Sequence, residues 1–78
     1  MEQKIKKNVA IGDNLKRLRK NNKYSQEKLC AELQLMGCDI GRTTYAKYEY
    51  AELNVRADVL CALTKLYDCS FDEFFVGI

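Results

Sequence analysis

Residues 24–50 read YSQEKLCAELQLMGCDIGRTTYAKYEY, and this stretch decides the fold. Ser25 is placed to cap a helix over about Gln26 to Met36, its hydroxyl accepting from a free N–H of the first turn. Leu29, Leu33 and Met36 recur at i, i+4 and i+7, one apolar stripe. Gly37 follows at the position after the cap, where a positive φ costs glycine nothing. Cys38-Asp39-Ile40-Gly41 is then a short connection. A further helix is expected over about Arg42 to Ala51. At about 100° per residue, Tyr45 and Tyr48 face inward while Thr43 and Lys47 fall on the opposite side, flanked by Ala46 and Tyr50.

The same period extends outward in both directions. Upstream, Asn8 is a candidate cap for a helix over roughly Val9 to Asn21, with Ile11, Leu15 and Leu18 on one stripe. Asn21-Asn22-Lys23 breaks it with poor helix formers. Downstream, Glu52-Leu53-Asn54-Val55 reads as a loop. Ala57 to Tyr67 reads as a helix carrying Val59, Leu60, Leu63, Leu66 and Tyr67. Ser70-Phe71-Asp72-Glu73 has the form of a capping box, Ser at N-cap and Glu at N3, and is expected to start a short fifth helix. The fold class is therefore all-α with five helices, with residues 1–8 a basic N-terminal arm and residues 9–78 one domain.

Length limits the possibilities. Seventy-eight residues hold one small domain and leave no room for a two-lobed cleft around a cofactor. At 47% hydrophobic and 31% charged the chain is globular in composition. No apolar run approaches the roughly 18 residues of a membrane span. The basic start lacks the apolar stretch of a secretory signal, so a cytoplasmic protein is expected. Histidine is absent, which removes the commonest general base and metal ligand. No catalytic constellation, cofactor or small-molecule effector site is visible, and no enzyme is expected.

Cys30, Cys38, Cys61 and Cys69 form no close pair of the kind that opens a zinc site, so no metal is expected. Two disulfides would require a secreted chain. Cys30 and Cys61 fall in helical apolar patterns, where free cysteine behaves as a small buried hydrophobe. Cys38 and Cys69 stand near expected helix starts, which favour a thiolate, so a redox-sensing role is a third possibility beside those below.

The net charge of +2 conceals an asymmetry. Residues 1–23 carry +6, residues 24–50 carry −1 and residues 51–78 carry −3. One basic end suits a polyanionic partner, or is simply a solvated face and tail. The pair of helices at 26–36 and 42–51 sharpens the first reading. Gly41 lets the second helix approach a surface closely, as a helix entering a major groove N-terminus first must. Arg42 suits guanine O6 and N7. Thr43 and Thr44 are short enough for a base edge, a thymine methyl or a phosphate. Lys47 lies one turn on. Gln26 has a helix N-terminus behind it for a phosphate. Singly, each is as readily a cap or a solvated charge; the combination carries the reading.

With these residues in place, the chain resembles the lambda-repressor-like (Cro/repressor, XRE-type) helix-turn-helix family. The carrying stretches are Ile11-Gly12-Asp13-Asn14-Leu15-Lys16-Arg17-Leu18-Arg19, Tyr24 to Leu29, Ile40 to Glu49, Leu60 to Leu66 and Ser70 to Phe75. The resemblance implies a five-helix domain that binds double-stranded DNA through helices 2 and 3, usually as a homodimer on an inverted repeat. It implies Gln26 at a phosphate or neighbouring base, Arg42, Thr43 and Lys47 on base edges, and Thr44 on the backbone. It also implies the loop from Asn54 to Arg56 against phosphates, and Arg19 paired with Glu49.

Three departures stand out. Gln26 and Arg42 are 16 residues apart, longer than the common form, so helix 2 or the turn is enlarged. Glu52 stands where a basic or neutral residue would ease approach to phosphate. Ala51 replaces the glycine that often ends the recognition helix.

Phe71, Phe74, Phe75, Val76 and Ile78 are too apolar for a free tail. Some of them should close the core. Phe74, Phe75, Val76 and Ile78 are candidates for a homodimer seam that sets two recognition helices about 34–36 Å apart. The leading expectation is a sequence-specific transcriptional regulator, a repressor, with DNA as partner and no membrane. The alternative is a protein-interaction module on the same fold, such as the antitoxin of a toxin–antitoxin pair.

Overall fold

The computed structural model describes residues 2–77, with side chains from Val9 onward. Four α-helices follow in order: α1 (Glu2–Asn21), α2 (Gln26–Leu35), α3 (Arg42–Glu49) and α4 (Ala57–Tyr67). A 3-10 helix over Phe71–Phe75 closes the chain.

Two expectations need correction. First, α1 begins at Glu2, not Val9, so the expected arm is the first part of a helix. Glutamate, glutamine and lysine are good helix formers, and nothing before Asn8 breaks the run. Second, the fifth helix is 3-10 and the capping box does not form. Glu73 N–H bonds the Ser70 carbonyl at 3.2 Å, and the Ser70 side chain makes no cap bond. Three residues per turn set i and i+3 one above the other. Phe71 and Phe74 accordingly meet edge to face, centroids 6.2 Å apart.

The other ends follow local chemistry. Ser25 Oγ accepts from Lys28 N–H at 3.1 Å and starts α2. Gly37, at φ +87°, ends it. The Cys38 N–H reaches back to the Leu33 carbonyl at 2.8 Å, a six-to-one closure that satisfies a free carbonyl of the last turn. Residues with side chains close the other three helices in the same left-handed way: Lys23, Ala51 and Asp68. The α2–α3 connection runs over residues 36–41. It is pinned rather than loose, because Cys38 and Ile40 are buried and Gln34 Nε2 donates to the Ile40 carbonyl at 3.1 Å.

The core gathers one stripe from each helix: Leu15 and Leu18, Leu29 and Leu33, Tyr45 and Tyr48, Val59 and Leu63. Each fully buried leucine contributes about 1.5–3 kcal/mol. α1 packs on α3 and on the 3-10 helix, and α2 packs on α3 and α4. Phe74 is completely buried, so it belongs to the core and cannot sit in a homodimer seam. Of the other seam candidates, Phe75 and Val76 are exposed, and Ile78 lies outside the described residues.

At Gly12 the backbone of α1 comes close to that of α3. A Cβ there would stand 2.5 Å from the Glu49 carbonyl oxygen, closer than any such contact tolerates.

Candidate nucleic-acid interface

Helix α3 has two unlike sides. Tyr45, Tyr48 and Glu49 are buried, the two rings edge to face with centroids 6.4 Å apart. Arg42, Thr43 and Lys47 are exposed, and Thr44 is half-buried. Gly41 precedes the helix without a side-chain cap, so no side chain covers the N–H groups of the first turn.

The buried side of α3 is fastened by a polar knot. Arg19 Nε donates to Glu49 Oε2 at 2.7 Å, and Arg19 Nη2 donates to Glu49 Oε1 at 3.2 Å. Both residues are about nine-tenths buried. Arg19 Nη1 also donates to the Tyr24 carbonyl at 2.9 Å. Gln26 Nε2 donates to Glu49 Oε1 at 3.1 Å. One carboxylate thus joins α1, the start of α2 and the end of α3. Burial pushes the Glu49 carboxyl up, but the bonds from Arg19 and Gln26 outweigh it and hold it below its ordinary value. The Tyr45 hydroxyl also favours the charged form, although it lies outside hydrogen-bond geometry. The bond to Glu49 raises the Arg19 guanidinium against the pull of burial.

This knot changes the reading of Gln26. Its amide nitrogen is engaged by Glu49, so the oxygen and one remaining N–H are left for a ligand. Gln26, Arg42, Thr43, Ala46, Lys47, Tyr50 and Glu52 together line an open recess of about 340 Å³. The expected residues of α2 and α3 therefore share one surface, apart from half-buried Thr44. Tyr50 (71% exposed) joins that surface with no role expected of it, and so does Glu52, which was expected only as an obstacle near phosphate. Tyr50 sits on the outward flank of the helical wheel, a visible signal. Glu52 lies past the helix, and only the fold of the turn brings it back.

The loop after α3 is partly engaged within the chain. Asn54 and Arg56 are exposed, but Arg56 is held by Asp58 through Nε–Oδ1 at 3.0 Å and Nη2–Oδ2 at 2.6 Å. That pairing raises the Arg56 pKa and lowers that of Asp58. A phosphate would have to displace the carboxylate. Asn54 instead borders an apolar recess of about 210 Å³ with Ile11, Tyr48, Leu53 and Phe75.

The cysteines are all free. Cys30 and Cys38 are buried, whereas Cys61 is exposed, contrary to its expected place in the core. Burial and Asp58 push the Cys38 thiol up; burial, Glu73 and Asp68 do the same to Cys69. The thiolate character expected of a redox sensor is therefore disfavoured at both. Among the described residues no group of three His, Cys, Asp or Glu is arranged to hold a metal ion. No helix among them is long and apolar enough to cross a membrane.

No curated protein and no solved structure matches the chain with significance. The helix-turn-helix family model matches residues 15–74, from the middle of α1 to the closing 3-10 helix, and so spans the Arg19–Glu49 knot and the whole outer face of α3. The chain belongs to the XRE-type, lambda-repressor-like helix-turn-helix family, a family of DNA-binding regulators.

Proposed function

We propose that this protein is a cytoplasmic, sequence-specific transcriptional repressor that sets α3 into the major groove of double-stranded DNA and acts as a homodimer on an inverted repeat. The observation that carries this is the outer face of α3. Arg42, Thr43 and Lys47 project from a helix whose opposite side is buried tyrosine and a fastened glutamate. Such a helix presents base-reading groups from a backbone already fixed before binding, so only their side-chain rotamers remain to be ordered. Gln26 approaches a phosphate from the start of α2, Thr44 the backbone, and Asn54 and Arg56 the flanking phosphates, Arg56 after exchanging its carboxylate partner. The seam of the dimer contains Phe75 and Val76, both exposed. The protein acts without catalysis, cofactor, metal or small-molecule effector.

The test is selection from a random duplex pool, with affinity followed against salt. An enriched inverted repeat, bound with an affinity that falls steeply as salt rises, supports the proposal and gives the half-site spacing. Weak binding with no enrichment overturns it. One observation favours the antitoxin-like alternative. Leu35, at the end of α2, is 82% exposed, an apolar side chain with no role at a DNA surface. A protein partner recovered in place of an operator decides for that reading.

A further inference from the structure

The surface of α3 contains a carboxylate that DNA should repel. Glu52 lines the same recess as Arg42, Lys47 and Tyr50. Its main chain is fixed, because Ala51 turns left-handed at φ 62°. Ala51 N–H bonds the Tyr48 carbonyl at 3.2 Å, and Glu52 N–H bonds the Lys47 carbonyl at 2.8 Å. Glu52 is thus carried on the end of the recognition helix with only its own rotamers free. Among the described residues its carboxylate makes no ion pair.

Most of what a duplex offers here is wrong for a carboxylate. Phosphates are anionic. Guanine N7 and O6, adenine N7 and thymine O4 are acceptors, and an ionised carboxylate only accepts. The one complementary feature of the major groove is an exocyclic amino group, N4 of cytosine or N6 of adenine. From Arg42 to Tyr50 the helix rises about 12 Å, so a helix lying along the groove would set the two ends of the recess over different base pairs. Arg42 is complementary to acceptors at one end, and Glu52 to a donor at the other.

We infer that Glu52 is a specificity-determining residue, accepting a hydrogen bond from the amino group of a cytosine or adenine under the C-terminal end of α3. The inference rests on the DNA-binding reading above. By this account Glu52 weakens binding to DNA in general and repays part of that loss only at sites with an amino group in the correct place. Its service is discrimination, not affinity.

The experiment compares wild type with Glu52→Gln and Glu52→Ala on duplexes carrying the selected site, each base pair varied in turn, and on random duplex. Both variants lie on an exposed position, and thermal melts confirm that they fold. Glu52→Ala is expected to bind random duplex several-fold more tightly and to lose about fivefold or more of its preference at one base pair, leaving the Arg42-dependent position unchanged. Glu52→Gln should show the same gain on random duplex but keep the preference where the base is adenine, because its amide oxygen still accepts from N6 while its N–H donates to N7. The base favoured by wild type at that position identifies the amino group as cytosine N4 or adenine N6. Tighter binding to every duplex with all preferences intact overturns the inference, since Glu52 then only repels the backbone. Loss of preference only at the Arg42-dependent position also overturns it. A wild type with no sequence preference removes the DNA-reading proposal itself, a result distinguishable from either.

Discussion

Asn14 and Phe74 are joined across 60 positions of sequence by a buried hydrogen bond. The Asn14 Nδ2 donates to the Phe74 carbonyl at 2.9 Å and, with its second proton, to the Val76 carbonyl at the same distance. The amide thus satisfies main-chain acceptors that the 3-10 helix leaves without helical partners. Asn14→Ala should lower stability by about 1–3 kcal/mol. In urea denaturation this appears as a lower midpoint at unchanged slope. An unchanged midpoint would show that water serves those carbonyls as well.

The Arg19–Glu49 pair should respond asymmetrically. Arg19→Met or Glu49→Leu alone leaves a buried charge without its partner and is expected to cost about 3–5 kcal/mol. For a domain of this size that is a large share of total stability. The double substitution should recover most of the loss. Acid provides a second readout. The folded carboxyl of Glu49 titrates below its ordinary 4.5, so its contribution is fully present above about pH 4.5. It declines as pH falls through the lower folded value. Glu49→Gln should flatten that acid limb in denaturation midpoints measured from pH 7 to pH 3.

Gly12→Ala exchanges a helical glycine for a better helix former, worth about 1 kcal/mol on propensity alone. Here it should destabilise, by about 1–3 kcal/mol, because the added methyl meets the Glu49 carbonyl oxygen rather than a movable side chain. Thermal unfolding gives the sign directly, and a raised Tm would contradict the close approach of α1 to α3.

Ala51→Gly should act in the opposite direction. Ala51 holds a left-handed φ of 62°, a conformation that strains a residue bearing Cβ. Relief of that strain, less the greater chain entropy of glycine, predicts a gain of about 0.5–1 kcal/mol. For a domain of 60–100 residues each kcal/mol corresponds to about 4–8 °C in Tm.

On DNA, Arg42→Ala should relax base preference at one position and cost about 1–3 kcal/mol. Lys16→Ala, exposed on α1 and away from the recess, should change binding little or uniformly across sequences. Competition assays with mismatched duplexes separate the two, and equal binding by Arg42→Ala and wild type would remove α3 as the reading element.

Elements with a local stop signal were legible from sequence. Ser25 and Gly37 bracket α2, and the Ala57–Tyr67 helix has the bounds its apolar period implies. The start of α1 was hidden because helix-forming residues continue past the apparent cap at Asn8. The last helix was misread because a capping box states what Ser70 and Glu73 are able to do locally. The burial of Phe74 against α1 sets their geometry instead. At the interface, the helical period already separated Thr43 and Lys47 from Tyr45 and Tyr48. The Arg19–Glu49 pairing came from the family resemblance, since periodicity makes Arg19 one more surface charge. Asn14 left a local trace, a polar residue within the Ile11–Leu15–Leu18 stripe, but its partners lie too far along the chain to be inferred from spacing.

The clasp between α1 and the closing segment also sets an order of events during synthesis. The nascent chain presents α1 first, with Leu15 and Asn14 directed at partners still to be translated. Helices α2 to α4 can gather behind it, but the side of α1 that meets Phe74 stays open until that residue leaves the ribosome. A chain cut before Phe74 would keep every residue of the recognition helix and still lack the piece that shuts the core. Such a chain has an apolar gap and an unanswered amide, so loss of the closing segment is felt first as loss of the fold, far from the outer face of α3.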